Sequence, residues 1–172
     1  DVARRFYGDD IDPARLLEIM NSAIYQSAKR KFVMTCFASV IDTKRRTITY
    51  ANAGHNFPYL YRAPNSIREG ESEFTVLMSR GNRLGDIPDS TFAETTQNLR
   101  AGDRLVFYTD GLIECESPTG EEFGEKRLRT AIRNAGDQNP SQMRDSLMAA
   151  AAQFYSDRPR KDDITLVVAH LQ

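Results

Sequence analysis

The stretch Asp103-Arg104-Leu105-Val106-Phe107-Tyr108-Thr109-Asp110-Gly111-Leu112-Ile113-Glu114 decides how the rest of the chain is read. Leu105 to Tyr108 form a short β-prone apolar run, and Thr109-Asp110-Gly111 ends it with a carboxylate and then a residue tolerant of positive φ. Such a strand is expected to deliver Asp110 to the rim of a sheet, where a rigid element fixes a side chain and the following loop leaves room for a ligand. Taken alone, Asp-Gly is an ordinary turn pair. A second acidic site changes its meaning. Asp162-Asp163-Ile164-Thr165-Leu166-Val167-Val168 places two carboxylates immediately before another β-branched run. If the two strands are antiparallel neighbours, an acid ending one and an acid starting the other share one edge of the sheet. Hard oxygen donors on one edge are a plausible divalent-cation site.

Around these two stretches, 172 residues are the size of one ordinary domain with a good-sized core, and a single domain over 1–172 is expected. An apolar fraction of 40% and a formal charge of −1 describe a soluble globular protein, with no bulk electrostatic reason for a nucleic-acid or membrane partner. The basic clusters Lys29-Arg30-Lys31 and Lys44-Arg45-Arg46 fall beside turns and read as a solvated helix end and a hairpin tip. With no membrane-length apolar stretch and no signal peptide, the expected location is cytoplasmic. Cys36 and Cys115 lack any zinc-type spacing and read as free thiols in a reducing compartment.

Working outward, Asp12-Pro13 is an N-cap followed by proline at the first helical position, predicting a helix over 13–28. Leu16, Leu17, Met20, Ala23, Ile24 and Ser27 form its expected buried stripe, laid on a sheet. A hairpin follows, with strands over 32–42 and 47–51 around the polar turn 43–46. Residues 52–56 are expected as a loop in which His55 organises hydrogen bonds. Strands are expected over 58–62, 74–78 and 92–99, an ordered loop over 80–89, and a tight turn over 100–103. After Gly111 come a polar loop over 116–121, a helix over 124–134 with Leu128, Ala131 and Ile132 inward and stopped by Gly136, and the final strand's preceding helix. That second helix, over 141–155, is expected to be capped by Ser141 and to bury Met143, Leu147, Ala150, Ala151 and Phe154. Six or more strands in hairpin order, flanked by helices, predict an α+β fold of antiparallel sheets covered by helices.

With these pieces placed, the chain resembles the PPM (type 2C) metal-dependent serine/threonine phosphatases, in the bacterial branch like stage II sporulation protein E. The matching residues are the strand at 35–38, Tyr50-Ala51-Asn52-Ala53-Gly54-His55-Asn56-Phe57-Pro58, Leu84-Gly85, residues 99–103, Tyr108-Thr109-Asp110-Gly111-Leu112-Ile113-Glu114, Phe123-Gly124 and Asp162-Asp163-Ile164-Thr165. Each motif is weak alone, but their order is specific along nearly the whole chain. The resemblance implies a sandwich of two antiparallel β-sheets flanked by helices, with a two-metal site at one end. It implies that Asp110 and Asp162 are metal ligands, with Asp163 the alternative to Asp162, a backbone role for Gly111, and substrate or loop roles for His55 and Asn56. Two Mn²⁺ or Mg²⁺ ions would polarise the phosphoryl group and acidify a shared water, so no side-chain nucleophile is required.

The chain departs from the family pattern at its start, because the Gly-Asp and Asp-x-x-Gly-like segments that supply further metal ligands do not precede the Pro13 helix. Gly8-Asp9-Asp10 lies just before a helix with no strand in front of it. The chain is therefore expected to be the C-terminal part of the domain, with its N-terminal strands lying outside it. The function implied is hydrolysis of phosphoserine or phosphothreonine on a protein of anti-anti-sigma type in a bacterial partner-switching pathway. Further expected partners are an upstream sensor or receiver domain and, as a self-association the sequence leaves open, a homodimer. The alternative is a catalytically incomplete binding module of the same fold. A phosphotransferase working through an aspartyl-phosphate is disfavoured because Asp110 has no Asp-x-Asp partner.

Overall fold

The computed structural model describes residues 12–28 and 31–172. Gly8-Asp9-Asp10 and the basic residues Lys29 and Arg30 lie outside the described residues. The chain divides into two compact units, one made of residues up to Phe57 with Leu77–Leu99, the other of Pro58–Val76 with Arg100–Gln172. Each contains an antiparallel sheet with helical cover, as the pattern of strands and helices predicts.

In the first unit, helix α1 (Pro13–Ala28) starts where Asp12 accepts the Arg15 amide at 2.6 Å, so the predicted cap and its proline hold. The helix covers a sheet of strand order β1-β2-β5, formed by β1 (Cys36–Asp42), β2 (Thr47–Ala53) and β5 (Thr95–Asn98). Its buried face is centred on Leu17, Asn21 and Ala28, with Leu16, Met20 and Ile24 partly covered. Ala23 and Ser27, expected in the stripe, are exposed. An apolar-only periodicity misses the true face because its centre is polar. Asn21 donates to the Ile87 carbonyl at 3.0 Å and accepts the Gly85 amide at 2.8 Å, so the buried amide pins the loop beneath the helix. Gly85 has φ +81, and a Cβ there would stand 2.5 Å from Cγ2 of Ile24.

The hairpin turn is where the sequence puts it, with the Asp42 carboxylate accepting the Lys44 and Arg45 amides at 2.9 and 2.8 Å. Lys44, Arg45 and Arg46 are exposed at its tip. The strands differ in extent from expectation. β1 begins at Cys36 because Met34 exchanges its backbone bonds with Leu84 instead of with β2. β2 runs through Asn52 and Ala53, so the loop starts at Gly54 and not at Asn52. β5 is only four residues long, since the Ala93 carbonyl is taken by the Ser79 hydroxyl at 2.9 Å before the ladder begins.

In the second unit the strand order is β4-β3-β6-β7, with β3 (Tyr59–Tyr61), β4 (Phe74–Val76), β6 (Arg104–Tyr108) and β7 (Leu166–His170). The decisive strand β6 is central, antiparallel to both neighbours, and pairs Tyr108 with Leu166 of β7. A four-residue helix α2 (Asp110–Ile113) follows it directly. Helices α3 (Gly124–Ala135) and α4 (Pro140–Tyr155) complete the unit, burying Leu128, Ile132, Met143, Leu147 and Ala151 against Val106 and Leu112. α3 ends at Gly136, as predicted. The cap of α4 is Asn139 and not Ser141, because Pro140 takes the first helical position and Gln142 completes a capping box with Asn139.

Leu17 has no exposed surface, whereas Ala23 is solvent-facing. Leu17→Ala should therefore cost about 2–5 kcal/mol in chemical denaturation, and Ala23→Ser should stay within about 0.5 kcal/mol of the parent. A second expectation concerns alkaline pH. Burial, and then the Glu125 carboxylate that accepts its hydroxyl at 3.0 Å, push Tyr59 up to about 12. A raised folded pKa stabilises below the unfolded value near 10 and is lost as pH rises toward 12, so stability should fall across that window. A urea midpoint that is flat from pH 9.5 to 12, with tyrosinate absorbance rising freely, would contradict it.

Candidate active site

Where β6 ends, its last loop and the approach to β7 are stitched together by Thr109. The Thr109 amide donates to the Thr165 carbonyl at 3.1 Å, its hydroxyl donates to the Asp163 carbonyl at 3.2 Å, and the Thr165 amide donates back to the hydroxyl at 2.9 Å. The Thr109–Thr165 pair continues the β6–β7 register by one backbone bond, but the Thr165 amide goes to the Thr109 hydroxyl and not to a carbonyl, and β7 starts at Leu166 instead of at Ile164. The two acids therefore precede the strand by a short loop and do not abut it.

Gly111 differs from its sequence reading. It sits inside α2 and is not among the residues of positive φ, so freedom of φ is not what it supplies. A Cβ at Gly111 would lie 2.4 Å from the Asp163 carbonyl oxygen and 3.3 Å from the Asp162 carbonyl carbon. Glycine is needed because two backbones touch there.

The structure thus brings the Asp110 turn against the Asp162-Asp163 turn. All three aspartates are exposed. Asp110 opens α2 and accepts the Gly111 amide at 3.0 Å, and Asp162 accepts the Asp163 amide at 2.7 Å, leaving carboxylate oxygens of both facing solvent. Beside them is a small cavity of about 80 Å³ bordered by Gly111, Glu114, Glu116, Lys161 and Asp162. Glu116 is held by two cations, Lys161 and Arg158, and the Lys161 ammonium ahead of the Arg158 guanidinium keeps its carboxyl below the usual carboxylate range. Sequence reading missed this clamp, since Glu116 lies in a polar loop more than forty positions before its partners; the basic run before Asp162 was its only signal.

Mn²⁺ and Mg²⁺ take oxygen donors, and Asp110 and Asp162 offer that chemistry on one rim. Among the described residues no group of three or more His, Cys, Asp or Glu side chains is placed to hold a metal. The donors fit in kind and form a partial set. His55 and Asn56 belong to the other compact unit. There Asn52 donates to the His55 carbonyl and accepts its amide, both at 2.8 Å, and Nδ1 of His55 lies 3.3 Å from the Thr35 hydroxyl. Both cysteines are free, with Cys115 buried. Among the described residues no helix is long and apolar enough to cross a membrane.

Comparison with known proteins adds three findings. The model of the family described as stage II sporulation protein E (SpoIIE) matches residues 1–172. Phosphoserine phosphatase RsbU of Bacillus subtilis is 25% identical over 161 residues, covering 92% of this chain and 45% of that protein. The chain spans under half the length of the curated relatives it matches. Among solved structures, the SiaA-PP2C domain of Pseudomonas aeruginosa superposes with a TM-score of 0.83 at 22% identity, over 100% of this chain and 65% of that one. The phosphatase domain of the cell fate determinant SpoIIE from Bacillus subtilis, presoaked with Mn, gives 0.65 at 17% identity, over 99% and 72%.

Gly111→Ala should force the two turns apart and destabilise the chain by about 1–3 kcal/mol. Hydrogen exchange at the Thr165 amide should accelerate in the same variant, because the Thr109 hydroxyl that accepts it moves away. Unchanged stability together with unchanged protection at Thr165 would show that the two turns are not held by this contact.

Proposed function

The chain belongs to the stage II sporulation protein E (SpoIIE) family, and from that premise we propose that it is a metal-dependent phosphoserine/phosphothreonine protein phosphatase domain. The observation that carries the reading is the Gly111–Asp163 contact. It sets two turns bearing exposed carboxylates side by side, although they are some fifty positions apart in sequence.

In this reading Asp110 and Asp162 are carboxylate ligands of Mn²⁺ or Mg²⁺, with Asp163 as alternative to Asp162 and the Gly111 backbone beside them. The divalent cation, when bound, supplies Lewis-acid polarisation of the phosphoryl group and an acidified water. The chain's own work is positional. β6 and β7 fix the two turns, Thr109 locks their backbones, and the pairing of Glu116 with Arg158 and Lys161 keeps a third carboxylate neutralised beside the site. His55 and Asn56, in the first unit, are assigned to loop organisation or substrate contact.

The substrate in this proposal is a phosphorylated protein of the anti-anti-sigma type, acting in a partner-switching pathway in the cytoplasm; the name of RsbU, a phosphoserine phosphatase, supports the phosphoserine part. An upstream sensor or receiver domain, a single domain over 1–172, and a homodimer belong to the same proposal.

The test is a Mn²⁺ titration read by calorimetry and by hydrolysis of a phosphoserine peptide. Asp110→Asn and Asp162→Asn should each weaken Mn²⁺ binding about tenfold or more, since charge dominates affinity for a hard cation, with melting temperatures near the parent's because both sites are exposed. Hydrolysis should follow Mn²⁺ and disappear with a chelator. Metal binding that ignores both substitutions would remove these residues from the site, and a folded chain with no metal-dependent hydrolysis is the result a pure binding module gives.

A further inference from the structure

The segment Arg158-Pro159-Arg160-Lys161 carries three cations directly before the acidic pair, and the structure treats them unequally. Arg158 and Lys161 both pair with Glu116, and Arg158 also donates to the Ser117 carbonyl at 3.3 Å. Arg160 is exposed and makes no ion pair or hydrogen bond among the described residues. It borders, with Lys161, Asp162 and Asp163, an open depression of about 410 Å³. A cation left unpaired beside two carboxylates, when both of its neighbours have been drawn onto a third, is placed for an anion that comes from outside.

The geometry points to Arg160 as the residue that anchors the phosphoryl dianion of the substrate; we propose this role, which rests on the phosphatase reading for its setting. Asp162 and Asp163 repel a phosphate, and Lys161 and Arg158 are both paired with Glu116. Arg160 therefore supplies the uncommitted positive charge on this depression. A guanidinium is suited to the task because its planar fork matches two phosphate oxygens at once, and it stays charged at every physiological pH. Pro159, with its fixed φ, stiffens the backbone between Arg158 and Arg160, so that clamping Arg158 on Glu116 also holds the next arginine near the rim.

The test uses inorganic phosphate as the probe, titrated in the presence of Mg²⁺ and followed by ³¹P resonance, on the chain and on Arg160→Ala and Arg160→Lys. Arg160→Ala should raise the phosphate dissociation constant about fivefold to tenfold, as expected for losing one solvent-exposed, charge-assisted pair of hydrogen bonds. Arg160→Lys should recover part of it, keeping the charge without the fork. Mg²⁺ affinity and melting temperature should stay at parental values, since Arg160 is exposed. In hydrolysis of the phosphoserine peptide the KM should rise with the same ordering of variants. Equal phosphate affinities for parent and Arg160→Ala would overturn the proposal. So would no measurable phosphate binding by the parent, or a loss in Arg160→Ala matched by lost Mg²⁺ affinity, which would mark a structural role. Arg160-dependent phosphate binding by a chain that hydrolyses no phosphate ester would sink the phosphatase reading and leave the anchor standing.

Discussion

The absence of a side chain at Gly111 is the constraint on which the candidate site depends. With the Asp163 carbonyl oxygen 2.4 Å from where a Cβ would be, no other residue lets the start of α2 approach the loop before β7. Thr109 then converts that approach into three hydrogen bonds with residues 163 and 165. The backbone contact and the bonds reinforce each other, because the bonds need the closeness and the closeness needs the bonds to satisfy the groups it desolvates. Asp110 and Asp162 have no attraction for one another. They are held on one rim by neutral backbone chemistry around them.

The other end of β6 is fixed as firmly, by a different means. Asp103 lies buried before the strand, where Arg62 donates to it at 3.1 and 3.4 Å and the Arg100 amide at 2.8 Å. Its carbonyl also accepts the amide of Leu171, just past the end of β7, at 3.0 Å. Breaking a buried pair of this kind by removing one partner costs about 3–5 kcal/mol, whereas an exposed pair such as Arg15 with Glu18 contributes about 0.2–1 kcal/mol. The Arg62–Asp103 pair ties the start of β6 to the segment after β3, while the register of β6 against β7 is held by the Asp103–Leu171 backbone bond at one end and the close backbone approach at the other. A one-residue slip would break both and move Asp110 away from Asp162.

That division suits a rim proposed to hold cations. The rigid part of the second unit is apolar and buried, with Val106, Leu112, Leu128 and Ile132 inside, while the chemistry-bearing residues stand on loops that the core positions without using them for packing. Substitutions there are expected to change binding more than folding. The same separation explains the three cations of 158–161. Two of them hold the loop to Glu116, and the third remains free of any such duty.

Much of this was legible from residue order. Asp12-Pro13 marked the first helix, Gly136 the end of another, and the apolar run at 105–108 the central strand, because caps and periodicity act within a few residues. The two acidic turns were legible as types, and their sharing of an edge followed once the strands were taken as antiparallel neighbours. What the sequence left out depends on contacts between distant segments. The centre of α1's buried face is Asn21, whose partners at 85 and 87 no local pattern announces. Gly111 reads locally as a turn former, and only the approach of Asp163 shows that it is there for lack of volume. Cations that look alike in the run before Asp162 are separated into clamp and anchor by Glu116, a residue far upstream. Residue types fix which chemistry a chain can perform, whereas steric fit and charge pairing across the fold decide which of those residues are free to perform it.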